Sequence, residues 1–255
     1  MPRAKDHAID LYMTAIRDGR AREALDANIG ERYIQHSTGV KDGKEGFLEF
    51  FQPFLERNPV REMEVIRALQ DGSKVFLHVS QNLHDGEAKW VTADFFESDE
   101  HGKIIEHWDV IAPFRISERS GHSNGDGERT LKDIEKTEEN KSLVADFVEK
   151  VLVGGQVAEL SRYVSDDGYV EHAPDFEDGI AAVDSRLRSG ALRYDALFML
   201  VGEGNFVATL CRASSDGQPV CQADVFRVHA GTIVEHWGDR EAIPPKAEWA
   251  NSGKF

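Results

Sequence analysis

Two stretches of the sequence, GKIIEHWD at residues 102–109 and GTIVEHWGD at residues 231–239, are nearly the same. Each stretch begins with a glycine, and an apolar, β-branched pair and then Glu-His-Trp come one residue later. This composition is typical of a strand that leaves a turn. Further matches keep the same order: YIQH at 33–36 with YVEH at 169–172, and DFF at 94–96 with DVF at 224–226. A repeat of this length indicates one domain that occurs twice.

The pattern between the repeated motifs predicts the domain boundaries. A polar stretch, rich in Gly and Ser at its start, separates the two copies and has no apolar periodicity, as is typical of a linker. We therefore assign the first copy to residues 1–116, a polar linker to 117–137, the second copy to 138–242 and a tail to 243–255.

Each copy places its helices before its strands. Apolar residues at helical spacing in 4–18 and 138–153 predict an opening helix in each copy, and turn signals separate the strand-like segments that follow. This order predicts an α+β fold class rather than a parallel βαβ array. We expect two tandem cone-shaped domains, each with helices packed in a curved antiparallel sheet and with its ligand site in the interior.

Composition excludes several classes of function. The formal net charge is −16, and such a field repels nucleic acid backbones and anionic lipid surfaces. The amino terminus lacks the apolar stretch of a signal peptide, and no later run approaches the ~20 apolar residues that span a bilayer. We expect a soluble, cytoplasmic protein that binds neither nucleic acid nor membranes. Whether Cys211 and Cys221 pair across a predicted hairpin stays open.

With these motifs the chain resembles the SnoaL-like polyketide cyclases, which belong to the superfamily that shares the cone fold of nuclear transport factor two. The motifs that carry the resemblance are YIQHSTGVKDGKEGFLEFF (33–51), DGSKVFLHV (71–79), ADFFESDEHGKIIEHWDVI (93–111), and the weaker YVEHAPDFEDGI (169–180) and ADVFRVHAGTIVEHWGD (223–239). The resemblance implies an aspartate general acid-base, helped by histidine, that acts on a carbonyl compound in an apolar pocket without a metal or organic cofactor. The implied aspartate is Asp94, with Asp224 as its second-copy equivalent.

Strand alternation selects the other candidates. Trp90, Asp94 and Phe96 share one face of their strand. On the last strand His107 and Asp109 share one face and Trp108 lies on the other, and periodicity does not decide which of the two faces is internal. Two further candidates are His36 and His78. His36 ends a short strand, where it could donate to a substrate carbonyl, cap the next helix or bond a backbone carbonyl, and His78 lies on a neighbouring strand.

These positions define the predicted site. Its catalytic residues are Asp94, His36 and His107, and its substrate-binding residues are His78, Trp90, Phe96, Trp108 and Asp109. The second-copy equivalents are His172, Asp224, His236 and Trp237. The histidines and Asp94 are possible metal ligands by type, but their spacing matches no metal signature, so we predict no metal.

The two copies differ at these positions, since Leu210 corresponds to His78, Val220 to Trp90 and Gly238 to Asp109. We therefore expect the working site in the first copy. The predicted function is cofactor-independent acid-base chemistry (aldol cyclisation, isomerisation or dehydration) on a small apolar carbonyl compound. The alternatives are a non-catalytic binding module and a scaffold. The two copies are expected to pair with each other as an internal pseudo-dimer, and a homodimer is also conceivable.

Overall fold

The computed structural model describes residues 3–174 and 176–255, with only the backbone of Asp85. Asp175, in the predicted motif at 169–180, lies outside the described residues. The chain forms two compact units, Met1–Pro113 with Ile243–Phe255, and Phe114–Ala242. Each unit combines helices with one five-stranded sheet. The α+β class and the tandem duplication are thus confirmed.

In its described residues the first unit has three α-helices and five strands. Their bounds are α1 Ala4–Tyr12, which continues as a π-helical turn over Met13–Arg17, α2 Ala21–Asn28, β1 Ile29–Gln35, α3 Gly43–Arg57, β2 Arg61–Asp71, β3 Lys74–Leu83, β4 Ala88–Ser98 and β5 Ile104–Pro113. The second unit repeats this order: α4 Thr137–Phe147 with a π-helical turn over Val148–Val153, a 3-10 helix over Val157–Arg162, β6 Val170–Glu171, α5 Ile180–Ser189, β7 Leu192–Glu203, β8 Phe206–Ser215, β9 Gln218–His229 and β10 Thr232–Ala242.

Both sheets have the same topology. The strand order is β1-β5-β4-β3-β2 in the first unit and β6-β10-β9-β8-β7 in the second. The last four strands of each unit form an antiparallel meander, as expected, but β1 and β6 pair in parallel with β5 and β10. The sheet is therefore mixed rather than purely antiparallel. The pairing of β2 with β3 shifts its register between Val65 and Arg67, as at a β-bulge.

Helix α1 shows why the apolar spacing produces this fold. Ala8, Leu11 and Tyr12 are buried on one side of the helix, and Ala15 and Ile16 continue the buried stripe into the π-helical turn. Gly19 follows with φ of 73°, a left-handed conformation that costs glycine little. The helix therefore packs its apolar face into the core that it shares with β3 and α3.

The unit boundaries differ from the predicted ones in two segments. Residues 117–137, predicted as a linker, belong to the second compact unit, and the tail 243–255 belongs to the first. The polar side chains in the predicted linker do not simply face solvent, because Ser117 Oγ donates to the carbonyl of Phe176 and Asn124 Nδ2 donates to Asp239 Oδ1. Polar composition therefore did not distinguish a docked segment from a free one.

Cys211 and Cys221 do not lie opposite each other. Cys211 on β8 is aligned with Gln222, and Cys221 on β9 with Arg212. Both cysteines are buried, and no disulfide joins them. Among the described residues, no helix has the length and apolar character that crossing a membrane requires. The pairing of the two copies as a pseudo-dimer stays a prediction.

Candidate functional site

The strands β4 and β5 direct one set of side chains into a cavity of the first unit. In their register Asp94 lies opposite Asp109, and Phe96 lies opposite His107. Because alternate residues of a strand share a face, these four side chains line the same cavity, whereas Trp108 lies on the other face. The structure thus decides the question that periodicity left open: His107 and Asp109 are internal.

The cavity is enclosed mostly by apolar groups. Its volume is about 270 Å³, just below the ~300–1,000 Å³ that is usual for small-molecule sites. Helix α3 contributes an aromatic wall made of Phe47, Phe50, Phe51 and Phe54. Trp90 from β4 also lines the cavity. A ligand that fits this space would therefore be small and largely apolar.

Asp94 and His107 form a hydrogen-bonded pair on the cavity wall. Asp94 Oδ1 lies 3.0 Å from His107 Nε2, and the Asp94 side chain is only 4% exposed. On the other side of the imidazole, Nδ1 lies 2.9 Å from Gln35 Oε1. A carbonyl oxygen can only accept, so His107 Nδ1 carries a proton. The contact between Asp94 and His107 Nε2 therefore contains one proton that either residue can hold.

A chain of donors fixes the second oxygen of Asp94. Thr92 Oγ1 donates to Asp94 Oδ2 over 2.6 Å, and Tyr12 Oη lies 3.1 Å from Thr92 Oγ1. Gln81 Nε2 donates to the Tyr12 hydroxyl. Since Gln81 occupies one lone pair of that hydroxyl, Tyr12 can donate to Thr92 and Thr92 to Asp94. The carboxylate is thus oriented by hydrogen bonds on both oxygens.

Burial sets the electrostatics of this wall. Desolvation raises the pKa of the Asp94 carboxyl above the ordinary aspartate value, although the bonds from His107 and Thr92 act in the opposite direction. Desolvation, together with the charge of Asp94, also raises the pKa of Tyr12 and Tyr33. Both phenols therefore stay neutral near pH 7 and remain hydrogen-bond donors.

Replacing Thr92 by valine tests the donor chain. Valine has nearly the same shape but cannot donate, so the charged form of Asp94 loses one stabilising bond. Hydrogen bonds to charged groups contribute about 1.5–3 kcal/mol, so the pKa of Asp94 should rise by about one pH unit or more. Titration of the ¹³C-labelled carboxyl by NMR measures this change. Thr209→Val in the second unit is the control and should leave Asp94 unchanged; an unchanged or lower pKa of Asp94 in Thr92→Val would contradict the assignment.

Two of the predicted site residues lie together outside the cavity. His36 stacks on Trp108 with ring centroids 4.5 Å apart, its Nε2 lies 2.8 Å from Glu106 Oε1, and its Nδ1 lies 2.7 Å from the carbonyl of Gly253. The placement of His36 and Trp108 at the ligand site was therefore wrong. The reason is that the last strand turns its Glu106–Trp108 face away from the cavity, and His36 follows that face.

His78 is also outside the cavity. It is aligned with Ala93 on β4, one position away from the pair formed by Leu77 and Asp94, so it lies on the opposite face of the sheet. There it is buried, and Nη1 of Arg67 lies 2.9 Å from its Nδ1. The prediction that His78 lines the pocket was wrong, because the sequence of β3 is apolar on both faces and did not show which face is internal.

Several residues at the cavity were not among the sequence candidates. Tyr33 and Gln35 line it from β1, and a hydrogen bond joins their side chains. Tyr12 and Gln81 line it from α1 and β3. Alternation within YIQH would have placed Tyr33 and Gln35 on one face, but nothing in the sequence indicated that this face, rather than the His36 face, is internal.

The equivalent residues of the second unit form a closed ionic network. His236 Nε2 lies 3.0 Å from Asp224 Oδ1, and its Nδ1 lies 2.8 Å from Glu171 Oε1. Arg186 Nη1 lies 3.3 Å from Glu171 Oε2. Tyr194 Oη also donates to Asp224 Oδ1. Where the first unit has the neutral Gln35 beside the histidine, the second has the carboxylate of Glu171.

This substitution changes the charge state of the histidine. Burial alone would lower the pKa of His236, but Glu171 and Asp224 outweigh burial and raise it to about 9. His236 is therefore a buried imidazolium between two acids. Gly238, at the position of Asp109, leaves no space for a side chain, because an added Cβ would lie 2.8 Å from His236 Cε1 and 3.0 Å from Asp224 Oδ1. The second unit therefore has no room for a carboxylate where the first unit has Asp109.

One group of side chains has ligand types that suit a metal. The ligand atoms of His122, Asp126 and His172 lie within 4.8 Å of one another. However, His172 Nδ1 lies 3.0 Å from the carbonyl of Ser123 and its Nε2 lies 2.8 Å from Glu235 Oε1. Asp126 Oδ1 also lies 2.6 Å from His172 Nδ1, so acceptor oxygens already lie beside both ring nitrogens, and a cation would have to displace one of these contacts. His172 and Trp237, whose rings are stacked 4.6 Å apart, repeat the arrangement of His36 and Trp108.

The known proteins and the family to which the chain is similar each match less than half of it. Residues 9–107 match the family model described as SnoaL-like domain. No curated protein matches the chain. Among solved structures, a candidate polyketide cyclase from Acidithiobacillus ferrooxidans is 16% identical, with 40% of this chain and 88% of that chain covered and a TM-score of 0.35. A candidate polyketide cyclase from Bacillus cereus is 22% identical, with 42% of this chain and 74% of that chain covered and a TM-score of 0.38. A candidate ketosteroid isomerase from Kribbella flavida is 15% identical, with 43% of this chain and 84% of that chain covered and a TM-score of 0.37.

Proposed function

We propose that the first unit, whose residues 9–107 match the family model of the SnoaL-like domain, is an acid-base enzyme that works in this cavity. Its substrate is a small, largely apolar compound that carries a carbonyl group. The observation that carries the proposal is the buried pair of Asp94 and His107, which holds one exchangeable proton against an apolar cavity. A carboxyl whose pKa is raised by burial is suited to exchange protons near neutral pH.

The proposed chemistry begins with Asp94 as a base. When His107 holds the shared proton, Asp94 is a carboxylate and takes a proton from the carbon next to the substrate carbonyl. The electron pair of that C–H bond moves into the carbonyl, which becomes an enolate. In this proposal the neutral hydroxyl of Tyr33, which lines the same cavity, donates a hydrogen bond to the enolate oxygen.

The enolate can then react in three ways. Return of the proton from Asp94 to another carbon gives an isomer. Attack of the enolate carbon on a second carbonyl of the same molecule closes a ring, and the proton goes to the new alkoxide. Loss of a β-hydroxyl group, which leaves as water with that proton, gives a dehydrated product.

Hydrogen-deuterium exchange tests the proposal without knowledge of the natural substrate. Aryl ketones and cyclic 1,3-diketones of one to three rings are incubated with the protein in D₂O, and mass spectrometry follows deuterium at the carbon next to the carbonyl. We expect at least one compound to exchange faster with the protein than with buffer. Compounds that bind, as judged by a thermal shift, and yet never exchange faster would indicate the non-catalytic binding module instead.

A further inference from the structure

Residues 243–255 supply a segment that docks beside the cavity of the first unit. The backbone N–H of Ala250 donates to the carbonyl of Thr38 over 2.8 Å. Asn251 Nδ2 donates to the carbonyls of Ser37 and Val40 over 2.7 and 2.9 Å. Together with the contact between Gly253 and His36, these bonds hold the segment along the loop that follows β1.

The segment carries a buried charge. Lys254 is 1% exposed, and its Nζ donates to Asp109 Oδ1 over 2.7 Å and to the backbone carbonyl of Asp109 over 2.8 Å. Strand β1 ends at Gln35, opposite His107, so in the described part of the chain the backbone of β5 beyond that point has no strand neighbour on this side. Lys254 therefore occupies a gap in the sheet and satisfies a carbonyl there, but its ammonium also neutralises a carboxylate.

That carboxylate belongs to the cavity. Asp109 lines the cavity and lies opposite Asp94 in the register of β4 and β5. Two buried carboxyl groups on neighbouring strands normally compete for a proton, and their titrations then belong to the pair rather than to either residue. Burial would raise the pKa of Asp109, but the Lys254 ammonium and His107 outweigh burial and lower it, whereas the pKa of Asp94 is raised.

We propose that Lys254 is a positioning residue of the acid-base site: by holding Asp109 as a hydrogen-bonded anion, it confines the exchangeable proton to Asp94 and His107. The inference rests on the proposed function, because it assigns a role at the same cavity. Lys254 itself does not line the cavity and acts through Asp109. The titratable groups that face Asp109 are Asp94, His107, Tyr12, Tyr33 and Lys254.

The test is a titration of the side-chain carboxyls in the full chain, labelled with ¹³C at aspartate and free of any ligand. Asp94→Asn and Asp109→Asn assign the two signals. In the wild-type protein we expect Asp109 to stay ionised below the ordinary midpoint of ~3.9. In Lys254→Met, a substitution that keeps most of the side-chain volume, the Asp109 midpoint should rise by about one to three pH units, the usual effect of a close opposite charge.

Two further variants separate the electrostatic role from a structural one. Lys254→Arg keeps the positive charge and should keep the Asp109 midpoint low. In the double variant Lys254→Met with Asp109→Asn no competing carboxyl remains, so Asp94 should titrate as a single group. A merely structural Lys254 would disturb the Asp94 titration equally in the single and double variants, and that result would overturn the inference.

The titration of the wild-type protein tests the role of Lys254 even if Lys254→Met does not fold. An Asp109 midpoint above the ordinary aspartate value of ~3.9 would by itself refute that role. The experiment also distinguishes failure of this inference from failure of the proposed function. The carboxyl midpoints are measured without substrate, so a protein that never exchanges deuterium can still show them. If the protein catalyses deuterium exchange, Lys254→Met should shift the pH dependence of kcat, whereas Lys254→Arg should keep the pH dependence of the wild-type protein.

Discussion

Replacing Asp94 by asparagine is expected to lower the rate of deuterium exchange, expressed as kcat/KM, by about 10²–10⁴-fold, the usual contribution of a general acid-base. Asparagine has the same shape and can still accept from Thr92, but it cannot take the proton that the pair of Asp94 and His107 shares. The affinity for an apolar ligand should change little, because most of the cavity wall is apolar. Exchange rates and thermal-shift affinities measure the two effects separately.

The same variant has an expected effect on stability. Burial raises the pKa of Asp94 above its value in the unfolded chain, so between these two values the folded protein binds more protons than the unfolded protein. The free energy of unfolding therefore falls as the pH rises through this window. Asp94→Asn removes this dependence and should not lower the melting temperature at pH 7.

Asp224→Asn is the matched control for Asp94→Asn. It removes the equivalent carboxylate from the second unit, where Asp224 accepts from Tyr194, Gln222 and His236. We expect it to cost stability without loss of exchange activity. If Asp224→Asn abolished the exchange and Asp94→Asn did not, the working site would lie in the second unit.

Replacing His236 by glutamine is expected to lower the free energy of unfolding of the second unit by about 3–5 kcal/mol, the usual effect of removing one partner from a buried ion pair. The imidazolium lies between Glu171 and Asp224, and its loss leaves two buried acids with fewer positive partners. Arg186 remains beside Glu171, so Asp224 is left less compensated. Denaturant unfolding, followed by NMR signals of the second unit, measures this change.

The pH dependence of the network follows from the direction of each shift. The pKa of His236 is raised to about 9, so its stabilising contribution is fully present below the unfolded value of ~6.5 and is lost as the pH rises through 9. Burial would raise the pKa of Glu171, but His236 and Arg186 lower it to about 2. Its contribution is present above ~4.3, the unfolded value, and is lost as the pH falls through 2. The second unit should therefore be most stable between these limits.

His107→Gln in the first unit is the matched control for His236→Gln. His107 contacts one carboxylate, Asp94, and one neutral amide, Gln35, and its side chain is 13% exposed. The stability cost should therefore be clearly smaller than in His236→Gln. Equal costs in the two units would mean that Glu171 does not make the difference.

The repeated motifs were sufficient to predict the duplication and the α+β order of elements. A repeat is visible in the letters themselves, and apolar spacing reflects the local geometry of helices and strands. The placement of Asp94, Trp90 and Phe96 on one face was also available from alternation alone. The inward orientation of that face was not, because Phe95 on the other face is equally apolar and is completely buried.

The sequence by itself determined the two copies, the element order and the sets of residues that share a strand face, since each of these depends on near neighbours along the chain. Only the tertiary structure decided that His107, rather than His36, is hydrogen-bonded to Asp94. It also decided that Glu171 contacts His236 in the second unit, and that Lys254 contacts Asp109, which lies 145 positions earlier in the chain. These contacts depend on which face of each sheet closes over the helices and on where a distant segment docks. Burial and charge then act through space, and no local pattern records them.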